Sequence, residues 1–122
     1  MKNPLIIDNF GELLALHRII IEARFNQDPR DLDVRRGSIV VELANKVVSL
    51  LKENDETANW SEWLVADEHP YIIETITKRI EEDYDGIWAN LEQQEKPEFI
   101  EYLAAPFKPS KQLIDKLVQV NT

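Results

Sequence analysis

The sequence predicts an all-α fold, a single small domain over residues 1–122 with five or six helices packed as a bundle. Three observations support this prediction. Only three glycines occur among the 122 residues, Asn-Gly and Gly-Gly hairpin signals are absent, and apolar residues recur at helical spacing along most of the chain. A chain of this length can bury one hydrophobic core and is too short for two.

An α+β fold is the alternative. Residues 19–21 and residues 39–41 are both triplets of β-branched side chains, which favour an extended strand over a helix. Either triplet could therefore supply a strand to a fold that is otherwise helical.

The first predicted helix follows Asp8, a candidate N-cap, and runs to Phe25. Its apolar stripe is wide, which is typical of a helix that is buried on more than one side. Residues 26–37 are polar, contain Pro29 and end in Gly37, so they predict a long loop.

The clearest amphipathic helix is predicted over residues 38–53, where apolar residues fall at i, i+3, i+4 and i+7 spacing. Ser38 is its candidate N-cap. Trp60 and Trp63 then lie three residues apart after a polar break, which predicts a short helical turn.

A longer apolar seam covers residues 70–94, and a proline at its first position suits the start of a helix. Asp85-Gly86 inside the seam is a turn signal that could divide it into two helices. Pro97 then opens another short helix, and Ser110 can cap the last one.

The charge of the chain is strongly acidic and unevenly distributed. Lys and Arg number 14 against 23 Asp and Glu, which gives a net charge of −9. Residues 38–95 contain four basic and fourteen acidic side chains, so this segment carries the whole excess. Because such a charge repels phosphate backbones and anionic lipid headgroups, we expect neither nucleic acid nor a membrane surface as partner.

The chain contains no cysteine, so disulfides, thiol nucleophiles and thiolate metal sites are excluded. The apolar stretch near its first residue covers only residues 5–7, which is too short for a secretory signal. No apolar run approaches the roughly 20 residues that span a bilayer. We therefore expect a cytoplasmic protein.

Few residues point to catalysis. The three glycines are isolated, which excludes the glycine-rich loops that hold phosphates. His17 lies among apolar residues and has no histidine or carboxylate three or four positions away, so a core or boundary position is expected. His69 precedes a proline and fits the start of a helix. We therefore expect no catalytic residues and no cofactor.

The hypothesis that fits best is a non-enzymatic protein-binding module with an acidic, aromatic-containing face for a basic partner, as in an inhibitor, antidote or immunity-like protein. Aromatic rings anchor such an interface, and carboxylates steer the encounter. The candidate binding residues lie in or beside the acidic segment: Trp60, Trp63, Glu74, Glu81, Glu82, Tyr84 and Asp85.

Two alternatives remain open. Glu82, Asp85, Glu98 and Glu101 form two pairs at i, i+3 spacing, and antiparallel helices could join them as oxygen ligands for Mg²⁺ or Mn²⁺. That arrangement would suit a helical, metal-dependent hydrolase of nucleotides. The other alternative is a homo-oligomer without catalysis, in which the seam over residues 73–91 buries itself against a second copy.

Overall fold

A computed structural model describes residues 1–55 and 57–121 and confirms the all-α fold. The described chain has eight α-helices: α1 (Phe10–Phe25), α2 (Leu32–Arg36), α3 (Ser38–Asn54), α4 (Trp60–Trp63), α5 (Pro70–Glu82), α6 (Ile87–Asn90), α7 (Lys96–Ala104) and α8 (Lys111–Val118). Both β-branched triplets are helical, the first in α1 and the second in α3, and these two helices pack against each other. The described residues form no sheet, and one isolated bridge joins Val65 to Lys108.

The helices outnumber the five or six that were predicted, since α2, α4 and α6 are short helices of four or five residues. The prediction of an uninterrupted loop over residues 26–37 is wrong. The Asp31 side chain accepts a hydrogen bond from the Asp33 amide and starts α2, and the Gly37 amide donates to the Asp33 carbonyl where α2 ends.

Two of the predicted caps need correction by one residue. Asn9, and not Asp8, caps α1, because its Oδ1 accepts a hydrogen bond of 2.8 Å from the Glu12 amide. Gly37 occupies the N-cap position of α3, so Ser38 is the first helical residue. The third cap is confirmed: Ser110 Oγ accepts from the Leu113 amide at the start of α8.

The apolar seam over residues 70–94 is divided, as the Asp85-Gly86 signal indicates. Helix α5 ends at Glu82, and both Asp83 (φ 43°) and Gly86 (φ 66°) adopt left-handed conformations. The Asp83 carboxylate then accepts hydrogen bonds from the amides of Trp88 and Ala89, which begins the new helical direction of α6.

Among the described residues, the hydrophobic core has two clusters. The larger one lies mainly among α5, α6, α7 and α8, includes Ile76, Ile80 and Trp88, and is joined by Phe25 of α1 and Val48 of α3. The smaller one lies between α1 and α3, and partly buried Trp60 packs against both. Because the core contains Ile76 and Ile80, the seam over residues 73–91 leaves mainly Tyr84 and Ile87 exposed to a second copy.

None of the described helices combines the length and the apolar composition needed to cross a membrane.

Candidate functional site

Three of the predicted binding residues, Glu74, Glu81 and Glu82, are exposed on one side of α5 and are called the acidic face below. They share this side with exposed Tyr71 and exposed Lys78: at about 100° per residue, all five positions fall within about 100° of the helix circumference. The opposite side is buried in the core. Within residues 1–55 and 57–121, no ion pair neutralises these three glutamates.

The other acidic residues of this region have intramolecular partners. Asp85 forms an ion pair with Arg36, and Asp83 caps α6. Tyr84 is 68 % exposed, and its ring lies over the Arg35 guanidinium at 5.3 Å. Basic residues of α2 therefore partly neutralise the negative charge of the turn between α5 and α6.

The two predicted tryptophans lie beyond the other end of α5. Trp60 is partly buried and Trp63 is 43 % exposed, and their rings are 5.7 Å apart. The ring of His69, which precedes α5, lies 5.1 Å from the Trp63 ring. A helix of 13 residues is about 20 Å long, so the tryptophans and the acidic turn are separated by the length of α5.

A cleft of about 650 Å³, the tryptophan cleft, opens beside α1 and is lined by His17, Arg18, Glu22, Trp60 and Trp63 among others. His17 is buried, and its ring makes edge contacts with both tryptophan rings at 5.6 and 5.5 Å. Its Nε2 has no hydrogen-bond partner in the described part of the chain. Burial, followed by the nearby positive charge of Arg18, lowers the pKa of His17, so the ring is neutral at pH 7.

The four acids of the alternative metal site come from three places: Glu82 ends α5, Asp85 lies in the following turn, and Glu98 and Glu101 belong to α7. Asp85 is already paired with Arg36. Across the residues that the structure describes, no three histidine or acidic side chains approach closely enough to hold one metal ion.

Sequence reasoning missed a group of arginines. Arg24 is only 1 % exposed, Arg35 is buried, and Arg79 has two buried nitrogen atoms without acceptors in the described structure. One signal was present for Arg24, because Leu13, His17, Ile20 and Arg24 fall at the spacing of a single buried helical stripe. Arg79 carried a similar signal, since Ile72, Ile76 and Arg79 are also spaced by four and three residues, whereas the five residues of α2 carried none for Arg35.

The two histidines have few polar contacts. His69 contacts a backbone carbonyl and His17 has no partner, so no hydrogen bond in the described chain pairs a histidine with a hydroxyl or a carboxylate. Several clefts and the exposed side of α5 are the accessible features of this surface. No protein-family model matches this chain, and it shows no significant similarity to curated proteins or to solved structures.

Proposed function

We propose that this domain is a non-enzymatic protein-binding module and that the acidic face of α5 receives a basic partner protein. One observation carries the proposal: Glu74, Glu81 and Glu82 are exposed, and they have no ion-pair partner among the described residues. Carboxylates that keep their charge at a surface attract a basic protein from a distance and raise its association rate.

Exposed aromatic residues near the acidic face could anchor the partner. Tyr71 lies on α5 itself and is 52 % exposed, and Tyr84 follows the helix. Trp60 and Trp63 lie at the other end, so a partner that contacts them as well must cover about 20 Å. An interface of ordinary size, about 800 Å² on each protein, spans that distance. An inhibitor, antidote or immunity-like protein has this kind of surface.

The test reverses the charge of the acidic face. A partner is first captured from native lysate with the unchanged chain, purified, and its association rate is measured by surface plasmon resonance. We expect the triple variant Glu74→Lys, Glu81→Lys, Glu82→Lys to lower the association rate by about tenfold or more. For the unchanged chain, we also expect the association rate to fall as salt is raised, because ions screen exposed charges.

The matched control is the triple variant Glu42→Lys, Glu53→Lys, Asp115→Lys. These residues are exposed on α3 and α8, so the net charge changes equally while the acidic face stays intact. Equal association rates for the two triple variants would mean that only net charge matters, and the proposed face would be wrong.

A further inference from the structure

A second cleft, of about 370 Å³, lies between α2, the turn after α5, and α7, and we call it the arginine cleft. Arg35, Arg36 and Arg79 line it. Its walls also include the rings of Tyr84, Phe99 and Tyr102. Asp83 and Asp85 line it as well, so the cleft carries a formal charge of about +1 in a chain whose net charge is −9.

The neighbouring Arg24 shows how a buried guanidinium is satisfied in this fold. Its Nε donates to the Ala105 carbonyl at 2.8 Å, and its Nη1 donates to the Arg35 carbonyl at 2.8 Å. Its Nη2 donates to the carbonyls of Tyr102 and Leu103. Arg24 is therefore a structural residue that ties α1 to α2 and α7.

The arginines that line the cleft are less well satisfied. Arg35 is only 7 % exposed, and its side chain contacts the Tyr84 ring but has no hydrogen-bond acceptor among the described residues. Arg79 donates from Nη2 to the carbonyls of Arg24 and Asn26, whereas its Nε and Nη1 are buried without an acceptor there. Arg36 alone has a carboxylate partner, Asp85.

A partly satisfied buried cation is costly, and Arg79, although its guanidinium also lies over the Phe25 ring at 5.6 Å, is close enough to Arg35 to be repelled by it. Burial, followed by the nearby charges of Arg35 and Arg24, lowers the pKa of Arg79 to about 9, against the smaller opposing effect of Glu82. At pH 7 Arg79 is still protonated. A bound anion would give the Arg35 guanidinium an acceptor and offset its repulsion with Arg79.

We propose that the arginine cleft binds the phosphate group of a small phosphate monoester, with a planar ring of the ligand against Tyr84 and Phe99. A guanidinium group can donate two parallel hydrogen bonds to the oxygens of one phosphate group. A phosphate dianion also neutralises the charge of two arginines, whereas a carboxylate neutralises one. The volume suits a small molecule. This site shares Tyr84 with the proposed protein-binding surface, but the three glutamates of the acidic face lie outside the cleft.

Asp85 would compete with such a ligand. Its carboxylate already holds Arg36, and it lines the same cleft. Replacing it with asparagine removes this competing charge and leaves Arg36 available to the phosphate. The variant Asp85→Asn should therefore bind the ligand more tightly than the unchanged chain.

The experiment uses the full chain and isothermal titration calorimetry at low ionic strength, with phenyl phosphate, benzoate and phenol as probes. We expect saturable one-to-one binding of phenyl phosphate, weaker binding of benzoate, and no binding of phenol. If phenyl phosphate does not bind at concentrations up to about 10 mM, its dissociation constant is far above that of a typical specific ligand, and the proposal is wrong. Tighter binding of benzoate than of phenyl phosphate would overturn the assignment to phosphate.

Two pairs of variants locate the site. Arg35→Gln should weaken phenyl phosphate by about tenfold or more, whereas Arg18→Gln, which changes the same charge at the tryptophan cleft, should not. Asp85→Asn should tighten binding by about threefold or more, whereas Glu81→Gln, outside the cleft, should not.

Asp85 is exposed, so Asp85→Asn is expected to fold. The comparison of Asp85→Asn with Glu81→Gln therefore still tests the proposal if Arg35→Gln fails to fold. Unchanged affinity in both Arg35→Gln and Asp85→Asn would place the anion elsewhere and overturn the proposal. Glu81 belongs to the acidic face. Weaker partner binding by Glu81→Gln, together with unchanged phenyl phosphate binding, would show that the two functions are separate.

Discussion

His17 shows how one buried side chain makes stability depend on pH. Its ring lies against Trp60 and Trp63, and its Nε2 has no partner among the described residues. Burial, and then Arg18, lowers the pKa of His17 below its ordinary value of 6.5. Between these two values the unfolded chain binds a proton that the folded chain does not, so acid favours unfolding.

We therefore expect the stability that neutral His17 contributes to be fully present above about pH 6.5 and to be lost as the pH falls toward its folded pKa. The variant His17→Phe keeps a ring of similar shape and removes the titration. From about pH 7.5 to about pH 5.5, the free energy of urea unfolding should fall more for the unchanged chain than for His17→Phe, by at most about 1.4 kcal/mol. If the free energy of unfolding depends on pH in the same way for the two proteins, His17 does not contribute this pH dependence.

At the scale of elements, two glycines mark helix boundaries for different physical reasons. Gly86 begins α6 with φ at 66°, and a Cβ there would meet only an Asn90 side-chain atom at 3.8 Å. Gly37, between α2 and α3, has an ordinary φ, but a Cβ would lie 2.5 Å from the Asp33 carbonyl oxygen. The first position suffers backbone strain on substitution, and the second suffers a backbone clash.

We expect Gly86→Ala to lower the free energy of unfolding by about 1 kcal/mol, because an L-residue is strained in the left-handed region. Gly37→Ala should cost more, since α2 or α3 must shift to relieve the clash. Gly11→Ala, in the first turn of α1, is the matched control and should be neutral or slightly stabilising. Urea unfolding checks the order of the three, and a smaller loss at Gly37 than at Gly86 would contradict it.

The elements also show what the sequence can predict. Helices α3 and α5 were predicted because each carries an apolar stripe that must face a core, and Ser110 was predicted because its cap is a local hydrogen bond. Helix α2 was missed, since its five residues carry no repeating stripe and Arg35 is buried by contacts with distant parts of the chain. The arginine cleft was missed for the same reason: three elements meet there that are far apart in sequence.

At the scale of the whole molecule, the two core clusters raise the question of whether the chain unfolds as one unit. The smaller cluster holds Leu51 of α3 and the larger one holds Ile100 of α7, and both side chains are fully buried. Trp60 packs against both clusters. In addition, Arg24 binds α1 to carbonyls at the end of α7. These links predict one cooperative unit, as the length of the chain also suggests.

The variant Leu51→Ala tests this prediction. Removing its side chain should cost about 2–5 kcal/mol, because a cavity replaces packed atoms in the smaller cluster. If the molecule is one unit, amide hydrogen exchange in α7 should accelerate as much as exchange in α3, although α7 contains no changed residue. Ile100→Ala is the matched variant in the larger cluster and should in turn accelerate exchange in α3. Loss of protection confined to the changed cluster in both variants would mean that the clusters unfold separately, since the bridge through Trp60 and Arg24 would then be too weak to couple them.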